Sequence, residues 1–404
     1  MSPLCRTAAL IALALAAAPS VRAQAAPIIL PVDSPAAFFS PANWRGDSGR
    51  GGGADRVSWN NGAYCIWDWT DPSSAPAATL DISNPTPGSH ISYYADGRFY
   101  DDVPVPSAGG IAIQGLGGAG AHELTVVLRD SPQEARWQDR NACTVSGLAV
   151  DAGSTAGDAA ADEKKPWALI VGDSITEGIF AGPDHQSDNL ADYSYLVGQA
   201  LRRRGYEYGV SACGYSGWIR PGDAHGDVPG YYAITDGKYD PAASRWDRID
   251  ATTSLLDSRG RLSGYGAPHQ EPALILIDYI VNEALSGSDI ATTRQSIAGC
   301  LGALRAAAPD ARIIVLMPPG LASRTIYPGG APYMQALRDG VAAYRAAHPR
   351  DKRLALIDLG PDLANALASP FYGAAVHPNS AGHALIAANL LPAALADLPA
   401  EKDR

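Results

Sequence analysis

The sequence predicts an α/β domain built on a parallel sheet, preceded by an all-β sandwich. Up to about residue 153 the chain consists of short runs of alternating apolar residues, separated by Gly, Pro, Ser and Asp. Short half-buried strands with frequent turns indicate a sandwich or jelly roll. From residue 167 onwards, fully apolar strands alternate with amphipathic helices, which indicates a parallel sheet covered on both faces. The length of 404 residues also favours two domains over one.

Residues 1–23 are predicted to be a secretory signal. Arg6 supplies the positive start, residues 8–18 an apolar stretch, and residues 21–23 a small-residue cleavage site. The apolar stretch is too short to span a bilayer, and no other segment of the sequence is a candidate span. We therefore expect cleavage after Ala23 and a secreted or periplasmic protein; a short buried helix is the alternative.

The mature chain is acidic. Loss of Arg6 and Arg22 with the signal leaves 29 basic against 42 acidic residues, a formal charge of −13. An acidic surface repels phosphate backbones and anionic lipid, so nucleic acid is not expected as a partner. A neutral substrate, such as a neutral sugar ester, fits this charge better. The sequence does not give the oligomeric state.

Four cysteines remain after Cys5 leaves with the signal. In an exported chain they permit two disulfides, with three alternative pairings. Cys65–Cys143 and Cys213–Cys300 would keep each bridge inside one domain; four buried thiols are the alternative. Because the sequence has no CxxC motif and no His/Cys cluster, we expect neither a metal site nor a cofactor.

The first predicted domain covers residues 26–153. HELTVVLR, at 122–129, places Leu124, Val126 and Leu128 on one face, as in a half-buried strand.

A hairpin is predicted within the same domain. HISYYADGRFYDDV, at 90–103, holds Asp96-Gly97 between two aromatic runs, a type I′ signal because both turn residues need positive φ. IAIQG at 111–115 and CTVSGLAV at 143–150 are further strands.

Residues 154–166, STAGDAAADEKKP, are small and charged and end in proline, and are predicted to be a linker. The second predicted domain covers residues 167–399. Its predicted strands are WALIV (167–171), YGVSA (208–212), ALILIDYIV (273–281), RIIVLM (312–317) and LALIDL (354–359), and its predicted helices cover 192–204, the region of 290–304, 332–348 and 379–395.

Polar groups with complementary roles follow four of these strands. Reactive groups of open α/β sheets lie at the carboxyl ends of strands. Ser174 comes just after the first strand, before an expected helix start where anionic charge is stabilised. By itself it is equally an N-cap, with Glu177 completing a capping box. The other three strand ends favour a nucleophile.

Those three strand ends supply oxyanion donors and a base. Gly217 follows the second strand and can bring a main-chain N–H close to a reacting oxygen. Asn282 follows the third strand and offers an amide N–H. With the N–H of Ser174 these form a predicted three-donor oxyanion hole. His377 precedes the last helix and is the predicted base.

The second half of the chain resembles the SGNH/GDSL hydrolase family. GDSITEG resembles its first block and carries the nucleophile to Ser174. YSGW, IVNEA and VHPNSAGH resemble the other three blocks and carry the oxyanion glycine to Gly217, the oxyanion asparagine to Asn282 and the base to His377. The resemblance covers roughly residues 165–399 and implies a flavodoxin-like domain. The preceding β domain makes the chain similar to two-domain carbohydrate esterases with an N-terminal jelly roll.

Two positions depart from the family pattern. The third block usually begins with Gly, where this chain has Ile280. The last block usually has Asp three residues before His, where this chain has Ala374. The resemblance therefore supplies no acid for a catalytic triad. We expect Asp173, next to the nucleophile, to be a structural hydrogen-bonding residue, and His383 to face the neighbours of the last helix.

Three interpretations of the missing acid stay open. In the first, Ser174 and His377 form a dyad, as in members of carbohydrate esterase family two, and a main-chain carbonyl of residues 372–376 holds the ring. In the second, Asp362 or Glu283 supplies the carboxylate. In the third, the change to Ala weakens the enzyme.

The segment at 218–272 is long for a connection in a compact domain, which suggests a lid or a specificity wall. It is rich in aromatic residues, and Trp218 is predicted to contact substrate.

The combined prediction is a secreted serine esterase that removes short acyl groups, O-acetyl groups above all, from carbohydrate. Lipid or thioester hydrolysis and acyl transfer are the alternatives within the family. An impaired carbohydrate-binding relative is the alternative outside enzymes.

Overall fold

The computed structural model describes residues 26–47, 55–131, 142–183, 186–220, 222, 246–249, 253–264, 271–318, 329–358, 372–374, 376–396 and 398–399. The predicted signal and most of the 218–272 segment lie outside these residues. Among the described residues, no helix is both long and apolar enough to cross a membrane.

The N-terminal part is a pair of antiparallel sheets. Its strands are β1 (Ile28–Pro31), β2 (Ala37–Phe39), β3 (Arg45–Asp47), β4 (Asp55–Ser58), β5 (Tyr64–Asp71), β6 (Ala78–Ser83), β7 (His90–Ala95), β8 (Arg98–Pro104), β9 (Gly110–Ile113), β10 (Gly120–Asp130), β11 (Cys143–Val150) and β12 (Thr155–Ala156). One sheet has the order β3-β4-β11-β6-β9, with β1 on β11; the other has the order β12-β5-β10-β7-β8, with β2 on β5.

The Asp96-Gly97 hairpin between β7 and β8 is confirmed. Asp96 has φ +48° and Gly97 has φ +76°, and Ala95 pairs with Arg98. Positive φ at both central residues is what a type I′ turn requires.

Strand β10 is buried on both faces at its centre. Leu124, Val126 and Leu128 face the core between the two antiparallel sheets, as predicted. Val127, on the opposite face, belongs to the core that continues into the α/β part. The expectation of a half-buried strand is therefore wrong here, because the second domain covers the face that alternation assigns to solvent.

The segment predicted to be a linker packs on the sandwich instead. Thr155 pairs with Thr70 and Ala156 with Trp69, so β12 adds an edge strand to β5. A 3₁₀ helix at Ala159–Lys164 follows. Gly157 explains the close approach, because a Cβ there would lie 2.6 Å from the Asp68 Cβ. The small residues that predicted a linker allow tight packing here.

The C-terminal part is a five-stranded parallel sheet with helices. Its elements are β13 (Trp167–Gly172), α1 (Tyr193–Arg202), β14 (Glu207–Ala212), β15 (Leu274–Asp278), α2 (Val281–Leu285), α3 (Ile290–Ala307), β16 (Arg312–Met317), α4 (Ala331–Ala347), β17 (Leu354–Asp358), β18 (Tyr372–Ala374), β19 (His377–Pro378) and α5 (Ser380–Leu395). The five predicted strands and four predicted helices are confirmed, except that the third strand ends at Asp278 and Val281 begins α2 instead of ending the strand. The order β14-β13-β15-β16-β17 places the first strand inside the sheet, so the chain adds strands on both sides of it.

No regular helix begins at Ser174. Residues 174–180 form consecutive turns, and the next helix is α1. Gly178 has φ +76° and Phe180 has φ +60°, so the chain reverses where a helix would continue. The predicted helix start, and with it the capping-box alternative, is wrong.

The predicted disulfides are not formed. Cys65, Cys143, Cys213 and Cys300 are buried thiols. Cys65 and Cys143 lie in strands of different sheets. An even count in an exported chain permits bridges but does not bring the sulfurs together.

Candidate active site

The structure brings the predicted nucleophile and base together. Ser174 lies in the turn after β13, and His377 lies in β19, just before α5. The His377 Nε2 is 2.8 Å from the Ser174 Oγ. Ser174 is buried except for 9% of its surface, and His377 is half-buried. A ring nitrogen at this distance can take the hydroxyl proton as the oxygen attacks.

Two contacts fix the surroundings of the base. The Phe180 ring meets the His377 ring edge to face, with centroids 5.3 Å apart and an angle of 78° between planes. The main chain of Ala374 pairs with that of His377 between β18 and β19. Asp362, one of the alternative acids, lies outside the described residues. The carbonyl predicted to hold the ring stays a prediction.

Asp173 supports the turn that carries the nucleophile. Its Oδ1 accepts from the main-chain N–H of Ile175 at 2.9 Å, and its Oδ2 accepts from the Asn282 amide at 3.1 Å. Burial, and next the neighbouring Asp278 carboxyl, raise the pKa of Asp173 well above its usual range. The expectation that Asp173 is structural is confirmed by these contacts.

Asn282 lies between two segments: the turn of residues 174–180 that carries Ser174 (the nucleophile turn) and the loop of residues 213–220 that follows β14 (the second loop). Besides its bond to Asp173, its Nδ2 donates to the main-chain oxygen of Ser216 at 2.8 Å. Ile280, at the start of this turn, has φ +114°, a conformation suited to the glycine that the family pattern has there. The departure at Ile280 therefore leaves the backbone in the glycine conformation.

Gly217 is placed differently from the prediction. Its main-chain N–H donates to the Arg220 carbonyl at 3.0 Å, so it is not available to an oxyanion in this structure. A Cβ at this position would collide with the carboxylate of Glu283. The absence of a side chain at Gly217 therefore leaves room for the buried Glu283 carboxylate.

Ser174 supplies the one uncommitted donor. Within the described part of the chain, its main-chain N–H has no hydrogen-bond acceptor, whereas both other predicted donors are hydrogen-bonded to the protein. Two of the three predicted oxyanion donors are therefore occupied by protein acceptors in this structure.

Glu283 is not placed to be the missing acid. Its Oε1 accepts from the main-chain N–H of Ile219 at 3.0 Å, and the side chain is fully buried against Gly217. Burial raises the pKa of Glu283 to about 7. Its described contacts are with the second loop, so the proposal that it orients His377 is wrong.

His383 ties the last helix to the first. It is fully buried, and its Nδ1 accepts from the main-chain N–H of Tyr193 at 3.3 Å. The two rings are stacked, with centroids 6.1 Å apart. Burial, and next the neighbouring His377, lower the pKa of His383 to about 3. His383 is therefore neutral and faces α1, as expected.

Trp218 is not accessible to a substrate in this structure. Its side chain is fully buried and meets the Tyr279 ring edge to face at 5.7 Å. Tyr215, which sequence reasoning did not single out, lies two residues before Gly217 and keeps 47% of its surface exposed. Its φ of +63° is unusual for a bulky residue. Two nearby glycines, Gly214 and Gly217, were the signal that this loop is tightly turned.

Comparison with known proteins relates the chain to acyl hydrolases. Residues 170–385 match the model of the GDSL-like lipase/acylhydrolase family. A comparison with the curated proteins finds no match.

Three solved structures share the two-part architecture. A family two carbohydrate esterase from Cellvibrio japonicus has 14% identity and a TM-score of 0.66, covering 91% of this chain and 97% of that one. An acetyl xylan esterase from Butyrivibrio proteoclasticus has 13% identity and a TM-score of 0.63, covering 92% and 98%. A salicylyl-acyltransferase from a tetracycline biosynthetic pathway has 15% identity and a TM-score of 0.61, covering 93% and 99%. At these identities the likeness shows the fold.

Proposed function

Because the chain belongs to the GDSL-like lipase/acylhydrolase family, we propose that it is a secreted serine esterase that removes short acyl groups, O-acetyl groups above all, from carbohydrate. The observation that carries the proposal is the 2.8 Å distance between the Ser174 Oγ and the His377 Nε2. We place the domain boundary near residue 166, and the strand order of the parallel sheet supports a flavodoxin-like interpretation.

The reaction proceeds through an acyl-enzyme. The Ser174 Oγ attacks the ester carbonyl carbon while His377 takes its proton, and the tetrahedral intermediate collapses as His377 returns that proton to the leaving alcohol. Water then adds to the acyl carbon with His377 again as base, and Ser174 leaves with the proton. These steps need no metal or cofactor.

The oxyanion is stabilised first by the Ser174 N–H. The Asn282 amide joins when it exchanges the Ser216 carbonyl, 2.8 Å away, for the negatively charged oxygen, a stronger acceptor. Gly217 joins only if its N–H leaves the Arg220 carbonyl. Each such donor contributes on the order of 100-fold or more to the rate.

A dyad accounts for the absence of an acid at Ala374. A main-chain carbonyl of residues 372–376 accepts from the second ring nitrogen and selects the tautomer, a task that a carboxylate performs in a triad. The main-chain pairing of Ala374 with His377 supports this arrangement.

Carbohydrate is favoured as the acyl carrier by two observations. Tyr215 presents an exposed aromatic face on the second loop, and aromatic faces pack well against the apolar faces of sugar rings. The structures of similar fold include a carbohydrate esterase and an acetyl xylan esterase.

Acyl transfer is the second candidate, because one similar fold belongs to a salicylyl-acyltransferase and the same acyl-enzyme serves both reactions. Release of acid in water, with or without an added alcohol acceptor, separates the two.

The test is hydrolysis of 4-nitrophenyl acetate and of acetylated xylan by the full chain, beside Ser174→Ala, His377→Ala and Ala374→Asp. We expect the parent to be active, both alanine variants to lose activity, and Ala374→Asp to gain little. If the parent stays at background while Ala374→Asp is active, the dyad is wrong and the natural chain is impaired. If all four are inactive and glycan still binds, the esterase proposal fails.

A further inference from the structure

An ion pair with two hydrogen bonds joins Arg129 of the sandwich to Asp188, in the segment that follows the nucleophile turn. Arg129, in β10, donates from Nε to the Asp188 Oδ1 at 3.1 Å and from Nη2 to the Asp188 Oδ2 at 2.8 Å. The two side chains keep only 14% and 10% of their surface exposed. Asp101 also accepts from Arg129. A guanidinium and a carboxylate paired in this way fix direction as well as distance.

Asp188 is in direct contact with the nucleophile turn. Its main-chain N–H donates to the Gly178 carbonyl at 2.9 Å, and the Gly178 N–H donates to the Ile175 carbonyl at 3.1 Å. A Cβ on Gly178 would lie 2.6 Å from the Asp188 carbonyl oxygen. The position of Asp188 therefore limits where the turn after Ser174 can lie.

A second contact joins the sandwich to the same turn. The Asn61 Nδ2 donates to the Glu177 carbonyl at 3.5 Å, and the Asn61 Oδ1 accepts from the Ser131 hydroxyl at 3.0 Å. The Glu177 carboxylate in turn accepts from the Gly214 N–H at 2.7 Å. The sandwich thus touches the turn that links the nucleophile to the second loop.

We propose that Arg129 and Asp188 are positioning residues, through which the sandwich holds the nucleophile turn so that the Ser174 Oγ stays within reach of His377. This rests on the proposed function. Neither residue touches the reacting atoms, so they act through Ser174. A misplacement of about 1 Å can cost on the order of 100-fold in rate. Loss of a pair on one side of the turn allows a smaller shift.

The experiment measures the rate at which an organophosphonate labels Ser174, together with kcat and KM for 4-nitrophenyl acetate. It uses the full chain, Arg129→Gln, Asp188→Asn and the double variant. We expect each single variant to lower the labelling rate and kcat roughly tenfold with KM unchanged. Because the Arg129–Asp188 pair is the interaction that both changes remove, the double variant should lose much less than the product of the two single losses.

A matched control separates positioning from general stability. Arg305 pairs with Asp351 by two bonds of 2.9 and 3.3 Å, with 15% and 11% of the side chains exposed. Arg305→Gln removes a pair of similar distances and burial, together with the Arg305 bonds to the carbonyls of Ala308, Pro309 and Ala311. It should lower the unfolding temperature and leave the labelling rate per folded molecule unchanged. Arg129→Lys keeps the positive charge but cannot make both hydrogen bonds of the guanidinium. Its labelling rate should lie between those of the parent and Arg129→Gln.

The outcomes are distinct. If Arg129→Gln and Asp188→Asn are labelled as fast as the parent, the positioning proposal is wrong and the serine esterase proposal is unaffected. If Arg129→Gln does not fold, Asp188→Asn decides alone. A parent chain that no organophosphonate labels refutes the proposed function itself.

Discussion

Ile280 holds a backbone conformation that β-branched residues avoid. Its φ is +114°, yet the side chain is fully buried. Strain of this kind costs on the order of 1–3 kcal/mol, whereas burial of an Ile side chain contributes on the order of 2 kcal/mol. The two terms are similar in size, so packing holds a strained residue two positions before Asn282.

Substitution of Ile280 should therefore invert the usual preference for Ala over Gly. Ile280→Ala loses the buried side chain and keeps the strain, whereas Ile280→Gly loses the side chain and relieves it. We expect the glycine variant to be the more stable by about 1 kcal/mol in urea unfolding. At Ile275, a buried residue of β15, Ala should be the better replacement. The same order at both positions would contradict the strain at Ile280.

Tyr215 is the residue that should separate polysaccharide from small esters. Tyr215→Gly removes the exposed ring and suits the φ of +63°. We expect KM for acetylated xylan to rise roughly tenfold, equivalent to about 1.4 kcal/mol of lost binding, and kcat for 4-nitrophenyl acetate to stay unchanged. Phe99, with 45% of its surface exposed on β8, is the control, and Phe99→Ala should alter neither. An equal loss on both substrates would assign Tyr215 to the loop's conformation instead.

Among the helices and strands, the features that could be predicted are those that depend on contacts between residues close together in the chain. The N-terminal ends of α1 and α5 could be predicted because Asp192 and Asn379 cap them. Each side chain accepts from main-chain N–H groups within three residues. The succession of strands along the chain, and the four strand ends after which the predicted site residues lie, could be predicted from the apolar runs. The bond from Gly217 to Arg220 and the second buried face of β10 could not be predicted, because they depend on loop geometry and on contacts with the second domain.

The contact of His383 in α5 with α1 should make the protein less stable in acid. In the unfolded chain His383 titrates near its usual pKa of about 6.5, whereas in the folded chain its pKa is lowered to about 3. Between these values the unfolded state binds more protons, so the free energy of unfolding falls as the pH drops, by about 1.4 kcal/mol per pH unit from this group.

His383→Gln removes the titrating group and keeps an acceptor for Tyr193. We expect the variant to be less stable at neutral pH but to lose less stability between about pH 6.5 and 4, measured by urea unfolding of both proteins at each pH. A stability difference between parent and variant that is constant with pH would show that His383 does not stay neutral in the fold.

At the scale of the molecule, the sandwich completes an edge of the parallel sheet. Strand β14 is an edge strand, and unpaired edges invite association. The Asn43 amide covers this edge by donating to the Val210 carbonyl at 2.5 Å and accepting from the Val210 N–H at 3.2 Å. The Tyr64 hydroxyl accepts from the Tyr208 N–H at 3.2 Å. Gly209 permits this approach, because a Cβ there would collide with the Pro41 carbonyl.

The two domains should therefore unfold together, and Asn43 should be required for it. Asn43→Ala leaves two buried main-chain groups of Val210 without partners, which costs on the order of 3 kcal/mol, and it separates sandwich from sheet. We expect one calorimetric transition in the parent and a lower, broader or divided one in the variant. Asn84→Ala removes a buried amide that bonds within the sandwich, so it should lower the transition without dividing it. A loss below about 1 kcal/mol in Asn43→Ala, with the single transition kept, would mean that the hydrophobic contact alone joins the domains.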